Sequence, residues 1–110
     1  MVSAPWPILV NAPASPTQEA SARSVTDLVD DDLRREIETK VLGYLRFARA
    51  VVPHMTAQGW GRIIDISGLT ARRTADTFGS VRNVAVAAMT KNLAGELGPH
   101  GINVTVVSPG

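Results

Sequence analysis

Few side chains of this chain have the types and spacing that acid–base, nucleophilic or metal chemistry needs. There is no cysteine, and His54 and His100 are the only histidines. Neither histidine lies in a cluster of Cys, His and carboxylate residues with metal-ligand spacing, so we expect no metal site. The pair Arg72-Arg73 could meet a phosphate or a carboxylate, and the alternative is a solvated loop. Ser67 closes the run RIIDIS, where its hydroxyl either takes part in chemistry or satisfies the end of a strand.

Composition excludes several classes of function. A formal net charge of +1 and an isoelectric point near 8.3 give no broad basic field, so we expect no nucleic-acid partner. No apolar run reaches the roughly eighteen residues that cross a membrane, and MVSAPWPILV lacks the early positive charge of a secretory signal. The absence of cysteine fits a reducing compartment, and we expect a cytoplasmic protein. A length of 110 residues with 45% hydrophobic residues predicts one domain over residues 1–110.

Two stretches have helical periodicity, and both must position whatever site the chain has. The first covers residues 33–55, with Asp30, Asp31 and Asp32 where an N-terminal cap belongs. Pro53 should kink or end it, and Gly59 and Gly61 should stop it. The second covers residues 81–97 and carries two apolar rows, which predict two packing partners. Its charged residues are expected on one narrow flank facing water, namely Arg82, Lys91 and Glu96.

Three short segments read as strands around these helices: 7–10, 62–67 and 102–107. Strands that alternate with helices of this length predict an α/β fold with a parallel sheet of about three strands and two long helices. Two right-handed crossovers that advance in the same direction place both helices on the same face. The other face should then be uncovered, although its residues are apolar.

Four segments together resemble the short-chain dehydrogenase/reductase family over residues 8–110. They are ILVNAPA, for the family's strand ending in Asn-Asn-Ala-Gly; RFARAVVPHM with GWGRIIDISG, for its helix and serine-bearing strand; AVAAMTKNLAGEL, for the helix after its catalytic tyrosine; and GINVTVVSPG, for its strand ending in Pro-Gly. Each is weak alone, but together they keep the family's order and spacing. The resemblance implies part of a Rossmann-like three-layer fold.

The resemblance implies oxidoreductase chemistry, with hydride passed between a nicotinamide cofactor and a carbonyl or alcohol by a Tyr-x-x-x-Lys pair, a serine and an asparagine. The tyrosine exchanges a proton and needs a nearby cation to lower its pKa of about 10. In this sequence the pair's positions hold Gly79 and Asn83, which can do neither task. Ser67 is the candidate serine, although the reactive position is either Ser67 or the next residue, Gly68. Lys40 falls at the asparagine position. It either holds an anion or a proton relay there, or it is a solvated side chain.

Tyr44 is the only tyrosine and has no lysine four residues on. We therefore expect an interface residue rather than a displaced acid.

The resemblance also implies NAD or NADP as cofactor, with Asn11, Pro109 and Gly110 as the candidate contacts. The family's pyrophosphate site is a Gly-rich turn after a first strand. No such turn occurs in this sequence, which begins at what would be the family's fourth strand. Tight binding of either cofactor by this chain alone is therefore not expected.

Three interpretations remain open at this stage. The chain is a catalytically incompetent part of the family's fold, or part of an active atypical reductase in which Ser80, Arg82 or Lys40 replaces the usual acid and cation. The third interpretation is a non-enzymatic oligomerisation module, because in the family the two long helices form the main subunit interface. A homo-oligomer is expected, through the two long helices or through the uncovered sheet face, with an unrelated chain supplying strands as the alternative.

Overall fold

The computed structural model describes residues 8–12, 24–67 and 77–107. Within these ranges, three strands and three α-helices form the framework: β1 (Ile8–Asn11), α1 (Asp30–Glu36), α2 (Gly43–Gln58), β2 (Gly61–Ile66), α3 (Thr77–Leu97) and β3 (Ile102–Val107). A π-helical segment, Ile37–Leu42, joins α1 to α2, and short 3-10 turns cover Val25–Asp27 and Gly98–His100. The α/β class and the two long helices predicted from periodicity are confirmed.

The three strands form one parallel sheet in the order β1-β2-β3. Leu9 pairs with Ile63, and Ile63 pairs with Val104, so these residues point to the same face of the sheet. Met55 of α2 and Leu97 of α3 pack against that face in a single hydrophobic cluster. Both helices therefore cover one face, as two right-handed crossovers require.

The opposite face of the sheet is uncovered in the part of the chain that the structure describes. Ile8, Val10 and Val107 are about half exposed there, and Ile64 and Ile66 of β2 lie between them. Parallel sheets normally carry helices on both faces, which is why their strands are apolar on both sides. This strand pattern is consistent with a sheet built for two helical layers.

Two glycine turns meet at the amino-terminal end of the sheet. Gly59 ends α2 with φ 73°, and Gly101 precedes β3 with φ 81°, both in the left-handed region. The Gly61 N–H donates to the Gly101 carbonyl at 3.1 Å. A Cβ on Gly101 would collide with the Gly59 carbonyl oxygen, so the two turns approach as closely as glycine allows.

Three boundary details differ from the sequence prediction. Helix α3 begins at Thr77 rather than at 81, so Gly79 lies inside its first turn. Helix α2 continues through Pro53 to Gln58, with Gly59 as its C-cap. The N-cap residue of α1 is Val29, whose apolar side chain makes no capping hydrogen bond. Asp31 and Asp32 lie in the first turn and pair with Arg34 and Arg35.

Candidate functional site

A buried charge cluster joins the first long helical stretch to α3. Glu36, at the end of α1, places its Oε2 3.1 Å from Lys40 Nζ and its Oε1 2.5 Å from Arg82 Nη1. The side chains of Glu36, Lys40 and Arg82 are only 7%, 5% and 10% exposed. Burying charged groups to this extent costs free energy unless they are paired, and here the Glu36 carboxylate pairs with both cations. We call Glu36, Lys40 and Arg82 the charge cluster.

The charge cluster reaches the position where the family's motif has its lysine. Arg82 Nε donates to Asn83 Oδ1 at 3.3 Å, so Lys40 and Asn83 are linked through Glu36 and Arg82. The expectation that Arg82 lies on a flank facing water is wrong, and Lys40 is not solvated either. Apolar periodicity assigns charged residues to the outside by default, and the partner of Arg82 is 46 positions away in the sequence.

A second polar network ties the carboxyl ends of β1 and β2 to α3. Asn11 Nδ2 donates to Asp65 Oδ1 at 2.9 Å and lies 3.4 Å from the Tyr44 carbonyl. Thr90 Oγ1 lies 2.8 Å from Asp65 Oδ2 and 2.7 Å from the Val86 carbonyl. All three side chains are buried, so the Asp65 carboxyl group is held by an amide and a hydroxyl rather than by a cation.

The sequence did not single out Asp65 or Thr90, because each looks like an ordinary polar residue in a strand or helix. Their spacing from buried residues could have identified them. Asp65 lies two residues after Ile63 and so points to the same covered face of the sheet, and Thr90 lies about one helical turn after the buried Val86.

Tyr44 is engaged inside the fold rather than at a surface, which corrects its expected place at an interface. Its hydroxyl donates to the Ile66 carbonyl at 2.9 Å. Burial, together with the nearby Asp65 charge, raises the pKa of Tyr44 to about 12, and the Arg82 charge opposes this shift. A phenol held protonated in this way cannot exchange a proton readily near neutral pH.

The structure describes some of the residues singled out from sequence and not others. Ser67 is buried after β2, and its backbone N–H donates to the Val107 carbonyl at 2.8 Å. Gly79 and Asn83 are buried on α3, and Asn11 is buried at the end of β1. Pro109, Gly110, Gly68 and the pair Arg72-Arg73 lie outside the described residues. The catalytic and cofactor roles assigned to these positions stay predictions.

The described residues provide few contacts for a nicotinamide dinucleotide. The amide of Asn11 is spent on Asp65 and the Tyr44 carbonyl. In the sequence, neither β1 nor β2 is followed by the Gly-rich turn that holds a pyrophosphate. A cleft of about 350 Å³ does open between the end of β1 and α2, with Asn11, Lys40, Tyr44 and Phe47 among its lining residues. These side chains do not fit the cofactor's phosphates, because Lys40 is already held by Glu36.

No helix in the described ranges is long and apolar enough to cross a membrane. Within the same ranges, no group of three or more His, Cys, Asp and Glu side chains is arranged to hold a metal ion.

Comparison with known proteins places this fold in a family. The family model for short chain dehydrogenase matches residues 7–110. The short-chain reductase protein NovJ of Streptomyces niveus is 37% identical over 89 residues, which are 80% of this chain and 34% of that protein. A short-chain dehydrogenase from Streptomyces avermitilis superposes with a TM-score of 0.82 at 31% identity, covering 94% of this chain and 37% of that one.

A gluconate 5-dehydrogenase from Burkholderia cenocepacia, solved in complex with NADP and tartrate, has a TM-score of 0.83 at 26% identity, covering 94% of this chain and 40% of that one. The chain thus spans about a third of the length of the relatives that it matches in sequence. With a family match over residues 7–110 and a shared arrangement of strands and helices, the chain belongs to the short-chain dehydrogenase family.

Proposed function

We propose that this chain carries the family's fold without its hydride-transfer chemistry, and that alone it is catalytically incompetent. The observation that carries the proposal is the pair Gly79 and Asn83 on α3, at the positions of the family's tyrosine and lysine. Glycine has no group to protonate a carbonyl oxygen, and the loss of such an acid typically costs about a hundredfold or more in rate.

The state of Tyr44 supports the same proposal. A displaced acid would need a phenol that faces a substrate and has a lowered pKa. Tyr44 instead donates to the Ile66 carbonyl, and its pKa is raised to about 12. Tyr44 therefore cannot replace the acid that is missing at position 79.

Weak cofactor binding is a separate part of the proposal. NAD(H) and NADP(H) bind this chain at best weakly, with dissociation constants on the order of millimolar, about −4 kcal/mol. Most of the affinity in this fold class comes from the pyrophosphate at a Gly-rich turn. Calorimetric titration with each cofactor tests this directly, and a micromolar dissociation constant would contradict it.

Activity is tested with the purified chain, NADH or NADPH, and a panel of ketones and aldehydes, by following absorbance at the reduced nicotinamide band. No turnover above that of a heat-denatured sample is expected. Steady turnover that Ser67→Ala abolishes would overturn the proposal, because it would show a working serine without the usual tyrosine.

The charge cluster favours one second candidate, an atypical oxidoreductase of which this chain supplies part of the site. Lys40 stands where the family has an asparagine, and Asn83 stands where it has a lysine, so the cation comes from the opposite helix. In that case turnover would appear and Lys40→Met would abolish it. Substitution of the exposed Lys91 by Met, as a matched control, would leave turnover unchanged.

A further inference from the structure

Helix α1 is attached to the rest of the fold through a carboxylate rather than through an apolar side chain. Of its seven residues only Glu36 is buried, and Leu33, its one apolar residue, is partly exposed. A helix of this length is too short to be stable by itself, so α1 depends on its attachment. The segment that follows, Ile37–Leu42, is π-helical, a geometry that is frequent at functional sites. The buried contact that holds α1 is therefore ionic.

Lys40 and Arg82 hold the Glu36 carboxylate in the way that a receptor holds the carboxylate of a ligand. One carboxylate oxygen lies 3.1 Å from Lys40 Nζ and the other 2.5 Å from Arg82 Nη1, and both cationic side chains are buried. An external carboxylate in the same place would make the same charge-assisted hydrogen bonds. The advantage of Glu36 is that it is tethered, which is equivalent to a high local concentration.

A cleft beside Lys40 indicates what the rest of such a ligand must be. Its volume of about 350 Å³ lies at the lower end of the range for small-molecule sites. Lys40 is the one charged residue among its described lining residues, and Leu9 and Phe47 contribute apolar surface. The Asn11 amide and the Tyr44 hydroxyl are also nearby, but both are hydrogen-bonded within the protein. The cleft therefore matches a small molecule with one negative charge and an apolar body.

We propose that Lys40 and Arg82 form a carboxylate-binding site that Glu36 occupies from within the chain. A small apolar monocarboxylic acid displaces Glu36 and places its hydrocarbon part in the cleft beside Lys40. Because Lys40 is already held, an anion reaches it only by replacing Glu36, and a carboxylate restores the contacts of the group that it replaces. Displacement releases α1 from α3, since Arg82 lies on α3. The inference does not rest on the proposed function, because this binding needs no hydride transfer.

Binding is measured by nuclear magnetic resonance titration of all 110 residues with linear acids from acetate to hexanoate at constant ionic strength. Each CH₂ group that enters the cleft should raise the affinity about fourfold. Hexanol has the same chain without the charge and should bind at least tenfold more weakly than hexanoate. At saturating hexanoate, hydrogen exchange at residues 30–36 should become faster, while exchange at residues 102–107 stays unchanged.

Glu36→Gln removes the tethered competitor and leaves both cations in place. The affinity for hexanoate should therefore rise at least tenfold. Hexanoate should also raise the thermal midpoint of this variant by more than that of the parent, because a ligand of the folded state stabilises it. Where the variant is unfolded without ligand, hexanoate should refold it, as followed by circular dichroism. Glu38→Gln is the matched control at an exposed ion pair and should respond like the parent.

Phe47→Ala tests the cleft separately from the cations. Phe47 is 62% exposed, so its truncation should leave the fold intact. The variant should bind hexanoate about threefold or more weakly, because part of the apolar wall is lost, while its affinity for acetate stays unchanged.

Three results would overturn the inference. Equal affinities for hexanol and hexanoate would show an apolar cleft without a carboxylate site. Equal stabilisation of Glu36→Gln by chloride and by hexanoate at the same concentration would show charge screening alone. Binding of hexanoate to the parent with no change in exchange at residues 30–36 would show that Glu36 keeps its place.

Discussion

Arg82 Nη1 lies 2.5 Å from Glu36 Oε1, and this one contact joins two buried residues 46 positions apart in the sequence. The other carboxylate oxygen of Glu36 is held by Lys40. The Glu36 carboxylate therefore contacts both buried cations and connects α1 to α3.

Glu36→Gln should lower the free energy of unfolding by about 3–5 kcal/mol, because it removes the buried carboxylate that pairs with Lys40 and Arg82. Urea denaturation at neutral pH measures the change. Glu38→Gln is the matched control two residues on, where Glu38 pairs with Arg46 and both side chains are more than half exposed. That control should cost about 0–1 kcal/mol. Equal effects of the two substitutions would contradict the buried cluster.

Tyr44 should ionise near pH 12 in the folded protein and near pH 10 in the unfolded chain, since its folded pKa is raised to about 12. Between those pH values the unfolded chain loses the phenolic proton while the folded protein keeps it. The free energy of unfolding should therefore fall as pH rises through this window. Ultraviolet titration is unambiguous because Tyr44 is the only tyrosine. Ionisation of the folded protein near pH 10 would refute the prediction, and Tyr44→Phe should lack this part of the decline.

Thr90→Val should destabilise the fold by about 1–3 kcal/mol, because the buried Asp65 carboxyl group loses a donor. Thr90→Ser keeps the hydroxyl and loses only a methyl group, about 1 kcal/mol. The ranking of the two variants in thermal or urea unfolding is the test. A valine variant as stable as the serine variant would mean that the Thr90 hydroxyl serves only the Val86 carbonyl of its own helix.

Gly101→Ala should lower the free energy of unfolding, whereas Gly95→Ala should raise it. At Gly101 a Cβ meets the Gly59 carbonyl and φ is 81°, so alanine should cost about 1–3 kcal/mol or more. At Gly95, inside α3, a Cβ meets nothing within 4 Å, so alanine should stabilise by about 0.5–1 kcal/mol. Urea midpoints of the two variants against the parent decide the matter. Destabilisation of both would show that α3 is more crowded around Gly95 than the structure has it.

The strands, the helices and their arrangement could be predicted from the sequence, because they depend on residue pattern and on the handedness of crossovers. The β-branched residues of RIIDIS and INVTVV identified the strands, and right-handed crossovers placed both helices on one face, leaving Ile8 and Val10 uncovered. The buried charges could not be predicted in the same way. Arginine and lysine usually lie at the surface, and the Glu36 carboxylate that pairs with Arg82 and Lys40 in the interior is brought to Arg82 by the fold.

The π-helical segment Ile37–Leu42 accounts for how one row of side chains stays inside along the first long helical stretch. Glu36, Lys40, Tyr44 and Ala48 are all buried, each four residues after the last. In an α-helix of about 3.6 residues per turn, such a series drifts around the axis and leaves the interior within a few steps. A π turn holds more residues, so the drift is cancelled between Glu36 and Tyr44. Deleting one residue from this segment would leave seven steps between Glu36 and Tyr44, about 700° in a regular α-helix and close to two full turns. The π segment therefore accommodates one additional residue while the buried row on either side of it keeps its direction.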